Sequence, residues 1–203
     1  MIIGITGSFG SGKTTVANMF TKHGFKVINA DEFYHGIYSK DKILKSRIKK
    51  EFGTLDRGKI KKIVFNNSSK LKKLNEITHP VVIKALKKEM STIIKENNKK
   101  IPIMNNYNKK NKIKIIIDVP LLFEARMQNM FDKIIVVKCD KKTQIKRLLK
   151  KKKYSKKEIG QIIRSQVPIR EKIRMADFVV DNDGSLNDAQ KQVKSIVDLI
   201  QNP

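Results

Sequence analysis

Short apolar runs and longer apolar stripes alternate along the chain. Ile2-Ile3-Gly4-Ile5 is a continuous run, the pattern of a strand buried on both faces, and Thr15-Val16-Ala17-Asn18-Met19-Phe20 follows it with helical spacing. The pattern predicts a first strand over Met1 to Thr6, a helix from Lys13 to about His23, and a second strand over Phe25-Lys26-Val27-Ile28-Asn29. Further strands are expected at Ile113 to Asp118, Lys133 to Cys139 and Ala176 to Asp181. Between the second and third strands the period is helical. Ile37, Ile43-Leu44 and Ile48 form one stripe, Ile60 and Ile63-Val64 a second, and Leu71, Leu74 and Ile77 a third, with Gly53 to Gly58 as the first break. Pro80 suits the first position of a new helix, whose apolar face holds Val82, Leu86, Met90 and Ile93-Ile94. Glu96 to Lys112 is rich in Asn and Lys, is interrupted by Pro102, and reads as a solvent loop or disordered insertion. After the fourth strand, Lys141 to Lys153 is a basic helix. Ser155 and Glu158 form a capping box for the next helix, which runs through Ile159 and Ile162-Ile163 until Pro168 interrupts it. Ser185 caps a last helix with Val193, Ile196-Val197 and Ile200 facing inward.

The segment joining the first strand to its helix carries the clearest chemistry. Gly7-Ser8-Phe9-Gly10-Ser11-Gly12-Lys13-Thr14 has the spacing G-x-x-x-x-G-K-T of a phosphate-binding loop. Its glycines let the backbone fold around an anion so that the N–H groups of Ser8, Phe9, Gly10, Ser11 and Gly12, and of Thr15 in the first turn of the helix, face phosphate oxygens. Lys13 is placed to reach the β and γ phosphates of ATP, and the Thr14 hydroxyl to ligate Mg²⁺. Asp118, which closes an apolar run at the same edge of the sheet, is a second candidate for the Mg²⁺ shell. Asp31 follows the second strand at the edge where open α/β sheets bind ligands, and reads either as a catalytic carboxylate or as a helix N-cap. Arg147, on the basic helix, is the candidate for forking two phosphate oxygens.

The strand and helix order, with right-handed crossovers, predicts an α/β protein with a P-loop NTPase fold of the kinase type: a five-stranded parallel sheet flanked by helices. A nucleotide-binding core is expected over residues 1–30, 113–140 and 166–203. A helical substrate lobe is inserted at 31–112, with a polar insertion at about 97–112, and a helical lid spans 141–165.

Composition changes this picture little. The formal charge of +26 raises nucleic acid or an anionic membrane as a partner, but lysine is spread over nearly every segment and only seven of the 45 basic residues are Arg. Aromatic residues make up 6% and form no stacking array among the charges, so no specific nucleic acid is expected. The chain has no charged-then-apolar leader and lacks the run of about 18 apolar residues that a membrane span needs, which predicts a cytoplasmic protein without a membrane partner. Cys139 is the only cysteine, expected to be a small buried side chain, and no His, Cys or carboxylate cluster has transition-metal spacing.

Several motifs in one order resemble the dephospho-coenzyme A kinase family. They are Ile5 to Thr14, Val27-Ile28-Asn29-Ala30-Asp31, Gly53-Thr54-Leu55-Asp56-Arg57, Thr78-His79-Pro80, Pro120-Leu121-Leu122-Phe123-Glu124, Gln144-Ile145-Lys146-Arg147 and Ala176 to Asn182. The resemblance covers nearly the whole chain except Glu96 to Lys112. It implies transfer of the ATP γ-phosphoryl group, with Mg²⁺, to the ribose 3′-hydroxyl of dephospho-coenzyme A, so that ATP and dephospho-coenzyme A are the partners. Asp31 is then the general base, while Lys13 and Arg147 stabilise the migrating group. Asn182 joins the ATP site, and Arg57, His79, Pro80, Leu121, Leu122 and Glu124 bind the acceptor. Two positions depart from the family pattern: Ser8 replaces a glycine, and Asn29 replaces an acid, which leaves less negative charge around a bound metal. A P-loop kinase of nucleosides or nucleotides and a basic RNA-binding protein are the competing readings.

Overall fold

A computed structural model describes residues 1–65, 67–100 and 113–201. Strands β1 (Ile2–Gly7), β2 (Lys26–Asn29), β3 (Ile115–Asp118), β4 (Lys133–Lys138) and β5 (Phe178–Asp181) form one sheet in the order β2-β3-β1-β4-β5. Every neighbouring pair is parallel. The register sets Ile5 and Asn29 on either side of Asp118, and Gly7 beside Val137, so the loop glycine and both polar residues end at one edge.

Because side chains alternate along a strand, β1 to β4 each feed two cores, while β5 adds Phe178 and Val180 to one of them. Ile3, Ile5, Val137 and Val180 pack against Val16 and Phe20 of the first helical segment, α1 (Lys13–Met19) with its short 3-10 extension, and against Val193 and Val197 of the C-terminal helix. On the other face, Ile115, Ile117, Ile134 and Val136 pack with Leu86, Met90, Ile93 and Leu122. A third cluster, built on Leu44, Ile48, Phe52, Ile60 and Val64, lies among α2 (Ala30–Lys40), α3 (Lys42–Phe52), α4 (Arg57–Phe65) and α5 (Ser68–Lys100). After β4 come α6 (Lys141–Lys150), α7 (Lys156–Arg164) and α8 (Ile169–Arg174), and α9 (Leu186–Gln201) closes the chain. The capping box of Ser155 and Glu158 forms as its spacing predicts. No helix among the described residues is long and apolar enough to cross a membrane.

The helical segments differ from expectation in three places. Pro80 does not open a helix: α5 runs unbroken for 33 residues with Pro80 inside it. Packing at both ends explains this, since Leu71, Leu74, Ile77 and Val81 enter the third cluster while Leu86, Met90 and Ile93 enter the sheet core. A break would separate the two. Pro80 itself is exposed, as is Glu76, whose carbonyl loses its intrahelical donor. Secondly, the expected stripe through Ile37 and Ile43-Leu44 is cut at Asp41, whose carboxylate accepts the Leu44 N–H at 2.8 Å and starts a new helix. Ile43 is consequently 68% exposed while Leu44 is buried. Thirdly, residues 97–100 of the expected polar insertion continue α5, where each added residue gains a backbone hydrogen bond once the helix exists. Residues 101–112 lie outside the described residues. Cys139 is half-buried rather than fully enclosed.

Since Pro80 is exposed and removes a backbone donor from mid-helix, Pro80→Ala is expected to stabilise the fold by about 1–3 kcal/mol. The check is a shift of the urea midpoint to higher concentration with an unchanged slope.

Candidate active site

The phosphate loop is held by close backbone approach on two sides. A β-carbon on Gly7 would stand 2.2 Å from the Val137 carbonyl oxygen, so a larger residue there would push β1 from β4. Gly12 has φ +88°, and a β-carbon on it would meet Asn182 Nδ2 at 2.2 Å. That nitrogen donates to the Ser11 carbonyl at 2.8 Å, tying the loop to the end of β5. The Phe9 N–H donates to Gln166 Oε1 at 2.8 Å, and the Phe9 ring stands edge-on to Tyr154 at 5.1 Å. Tyr154 in turn carries the Lys61 ammonium over its ring at 4.0 Å, and Lys61 lies 3.8 Å from Glu158. Helix α4, the α6–α7 hairpin and the loop are thus in one chain of contacts.

Lys13 is half-buried, and burial pushes its ammonium below the ordinary 10.5, with Asp118 and Asp31 pulling the other way. One helical residue on, the Thr14 hydroxyl donates to Asp118 Oδ2 at 2.6 Å. Asp118 is 2% exposed, and burial pushes its carboxyl above the usual 3.8 against the opposing charge of Lys13. Its Oδ1 is buried without a hydrogen-bond partner among the described residues. A hydroxyl and a buried carboxylate side by side, with one oxygen unclaimed, suit a hard cation that completes its shell with phosphate and water. Among the described residues no group of three His, Cys, Asp or Glu offers a cage made of protein alone.

Asp31 is the second residue of α2, and it is not that helix's cap. Asn29 is: its Oδ1 accepts the N–H groups of Asp31 at 3.0 Å and Glu32 at 3.2 Å. The Asp31 carboxylate is thereby left exposed, without a capping duty, at the mouth of a cleft of about 220 Å³. Tyr34, Asn75, His79, Val119 and Leu121 are among the other walls of this cleft, which is chiefly apolar. Burial raises the Tyr34 hydroxyl to about 12, so it stays a neutral donor.

A loop with phosphate-binding spacing, a hydroxyl paired with a buried carboxylate, and an exposed carboxylate on an apolar cleft thus gather at one edge of the sheet. The profile of the family described as CoaE, dephospho-CoA kinase, matches residues 1–188. The chain belongs to the dephospho-CoA kinase family. It is 36% identical over 204 residues to the dephospho-CoA kinase of Carboxydothermus hydrogenoformans, covering 97% of this chain and 92% of that protein. With the Fusobacterium nucleatum dephospho-CoA kinase it shares 37% over 207 residues, covering 98% of each. The solved dephospho-CoA kinase from Campylobacter jejuni superposes with a TM-score of 0.65 at 27% identity, covering 99% of this chain and 97% of that one. The family's reaction is the ATP-dependent phosphorylation of dephospho-CoA, the last step of coenzyme A biosynthesis, with an alcohol group as acceptor.

The candidate residues of this kinase are divided among several places. Asp31, His79 and Leu121 share the apolar cleft, while Gly10, Gly12, Thr15, Arg147 and Asn182 line another of about 490 Å³ beside the loop. Arg147 Nη1 is buried without a hydrogen-bond partner among the described residues, 3.8 Å from where a Gly12 β-carbon would lie. Arg57 is separate: it contacts the His35 ring, lies 5.9 Å over Tyr38, and lines a neighbouring cleft that shares Tyr34 and Leu74 with the first. Leu122 and Pro80 line none of these clefts, Leu122 being fully buried in the core and Pro80 exposed on α5. Glu124 lines neither cleft and accepts the Val167 N–H at 2.9 Å. Sequence reasoning missed Asn29 as a cap, although Asn followed by an acidic first turn is a readable start signal. It also missed Gln166 and Lys172, for which no local pattern exists.

Burial pushes the His79 imidazole below its ordinary 6.5, with Glu124 opposing. The unfolded chain therefore takes up this proton first as pH falls, and stability is lost from about pH 6.5 down to the folded-state value, then levels off. The urea midpoint of the wild type is expected to fall more between about pH 7.5 and 5.5 than that of His79→Gln.

Proposed function

We propose that the chain transfers the γ-phosphoryl group of ATP to the ribose 3′-hydroxyl of dephospho-CoA, with Asp31 as general base and Mg²⁺ held by Thr14 and Asp118. The observation that carries this reading is the free Asp31 carboxylate, at the mouth of an apolar cleft and within the field of Lys13. A ribose hydroxyl is a weak nucleophile. A carboxylate facing the γ-phosphate orients it and accepts its proton as the new O–P bond forms and the bond to the ADP oxygen breaks. Lys13 and the loop N–H groups bind the phosphates, and Arg147, already beside Gly12, spreads the charge of the group in transit. Mg²⁺, when held by Thr14 and Asp118, would supply charge neutralisation for the phosphates. Residues 31–112 serve as the acceptor lobe around a core of 1–30, 113–140 and 166–203. In that lobe the apolar walls at Tyr34, Val119 and Leu121 suit the uncharged parts of a long substrate. Residues 141–165 serve as the lid. ATP and dephospho-CoA are its partners, and the supply of ATP supports a cytoplasmic location.

The test is a steady-state assay of the purified protein with ATP, Mg²⁺ and dephospho-CoA, with coenzyme A as the measured product. Turnover of AMP or cytidine in place of dephospho-CoA would overturn the acceptor assignment. Asp31→Asn is expected to lower kcat by roughly 10²–10⁴ while ATP affinity and melting temperature hold, because Asn29 and not Asp31 caps α2. Full activity of that variant would place the base elsewhere.

A further inference from the structure

Ten of the 17 residues from Lys141 to Lys157 are basic and none is acidic, against 45 basic residues among the 203 of the chain. Nine of the ten are lysines, and all nine are exposed. Lys172 on α8 is of the opposite kind, buried and 2.9 Å from the Glu124 carboxylate. Among the described residues no carboxylate lies within ion-pair distance of any of the nine. The α6–α7 hairpin built from this segment carries its charges against its own stability. Lys141 and Lys142 open α6, and Lys156 and Lys157 open α7, where the helix dipole disfavours cations. Asp140 and Glu158 offset this only in part, two acids against four lysines. Lys142, Lys146 and Lys150 follow at four-residue spacing on α6, so like charges are neighbours. Lys152 has φ +53°, in the left-handed turn after α6 that glycine or asparagine ordinarily takes. Each placement costs stability and each adds positive charge. Local rules broken together in one direction mark a function.

The charge leads to one place. Lys150 and Lys151 line the cleft of about 490 Å³ together with Arg147 and Gly12, so the patch runs from the hairpin tip to the rim of the phosphate loop. We propose that the hairpin is an electrostatic collector for the nucleotide: its outer lysines draw the polyphosphate to this cleft and raise its association rate, without touching it once bound. A cleft flanked by charge of one sign raises the on-rate of an opposite charge by about 10–10³-fold, an effect that salt removes. Lysines paired with carboxylates would cancel their own field, and these nine are not paired. A nucleic acid is the other polyanion such a face attracts, but proteins that hold single strands add aromatic faces on which bases stack. Tyr154 is the only aromatic residue between Lys141 and Lys157, and its ring is taken by Phe9 and by the Lys61 ammonium. The collector rests on nucleotide binding at the loop and adds how the nucleotide arrives there.

The experiment follows binding of ADP carrying a fluorescent N-methylanthraniloyl group by stopped flow, since the chain has no tryptophan to report it. Binding of this probe to the wild type comes first; its absence would sink the reading of the loop itself. Two quadruple variants are then compared with the wild type. One is Lys152→Gln with Lys153→Gln, Lys156→Gln and Lys157→Gln, at exposed hairpin positions that line neither cleft. The other, Lys84→Gln with Lys87→Gln, Lys88→Gln and Lys95→Gln, removes the same charge from exposed positions of α5. Between about 20 and 300 mM salt the wild-type association rate constant is expected to fall about tenfold or more. At the lower salt the hairpin variant is expected to associate about fivefold or more slowly, and the α5 variant within about twofold of the wild type. At the higher salt the three converge. The dissociation rate constant of the hairpin variant is expected to stay within about twofold, and its melting temperature not to drop, because repulsion is relieved. Equal slowing by both variants would overturn the proposal, since the field would then belong to the whole composition. So would faster dissociation at an unchanged association rate, the mark of lysines that hold the bound nucleotide, or a lower melting temperature, the mark of a structural role. Retention of a labelled RNA of about 20 uridines at about 150 mM salt, lost in the hairpin variant, would make this a nucleic-acid surface and overturn the proposal equally.

Discussion

A parallel sheet is covered on both faces only when each strand returns through a crossover, and that forces all five strands to end at the same edge. The site depends on this constraint. Gly7, Asn29, Asp118 and Asp181 come from four strands far apart in sequence, yet each is the last residue of its strand. The alternating apolar positions upstream fix the register, and the register delivers the glycine that turns into the loop, the cap that frees Asp31 and the carboxylate beside Thr14. The chemistry is assembled by the same regularity that buries the core.

How much of this was legible depends on whether the signal is local. Strand runs such as Ile134 to Val137 and the spacing from Gly7 to Thr14 need no distant information, and their elements appear where expected. The Ser155 and Glu158 box is equally local. Pro80 failed as a start signal because the preference of proline for a first turn is worth less than the burial that α5 gains in two clusters. Asp31 was ambiguous because carboxylates and amides compete for the same N-terminal amides. Only the geometry of Asn29 removes the capping role from Asp31 and leaves its carboxylate free. Lys172 and Gln166 are invisible in sequence for a different reason: each acts on a residue more than forty positions away, through contacts that the fold alone creates.

Helix α5 joins the two halves of the molecule mechanically. Its first part packs among α2, α3 and α4, and its second lies against β3 and β4, with His79 facing the cleft near the changeover. One helix thus belongs to both cores, and His79 sits on it between them. The contacts among Lys61, Tyr154, Glu158 and Phe9 make a second link, across the surface, from α4 through the α6–α7 hairpin to the loop.

The hydrogen bond from the Phe9 N–H to Gln166 means that this part of the loop is already satisfied without a ligand. A phosphate that takes this N–H exchanges one acceptor for another, and the net gain is the difference between them. Gln166 is a neutral amide, so the exchange favours a phosphate oxygen, but by less than an empty donor would. The discount applies alike to any nucleotide whose phosphate takes that donor, reactant and product, and leaves their relative affinity unaltered. Its effect falls instead on residence time. With a side chain waiting to reclaim the amide, spent nucleotide departs sooner, and in enzymes whose turnover is set by product release a competitor of this kind raises the ceiling on rate without touching the chemical step.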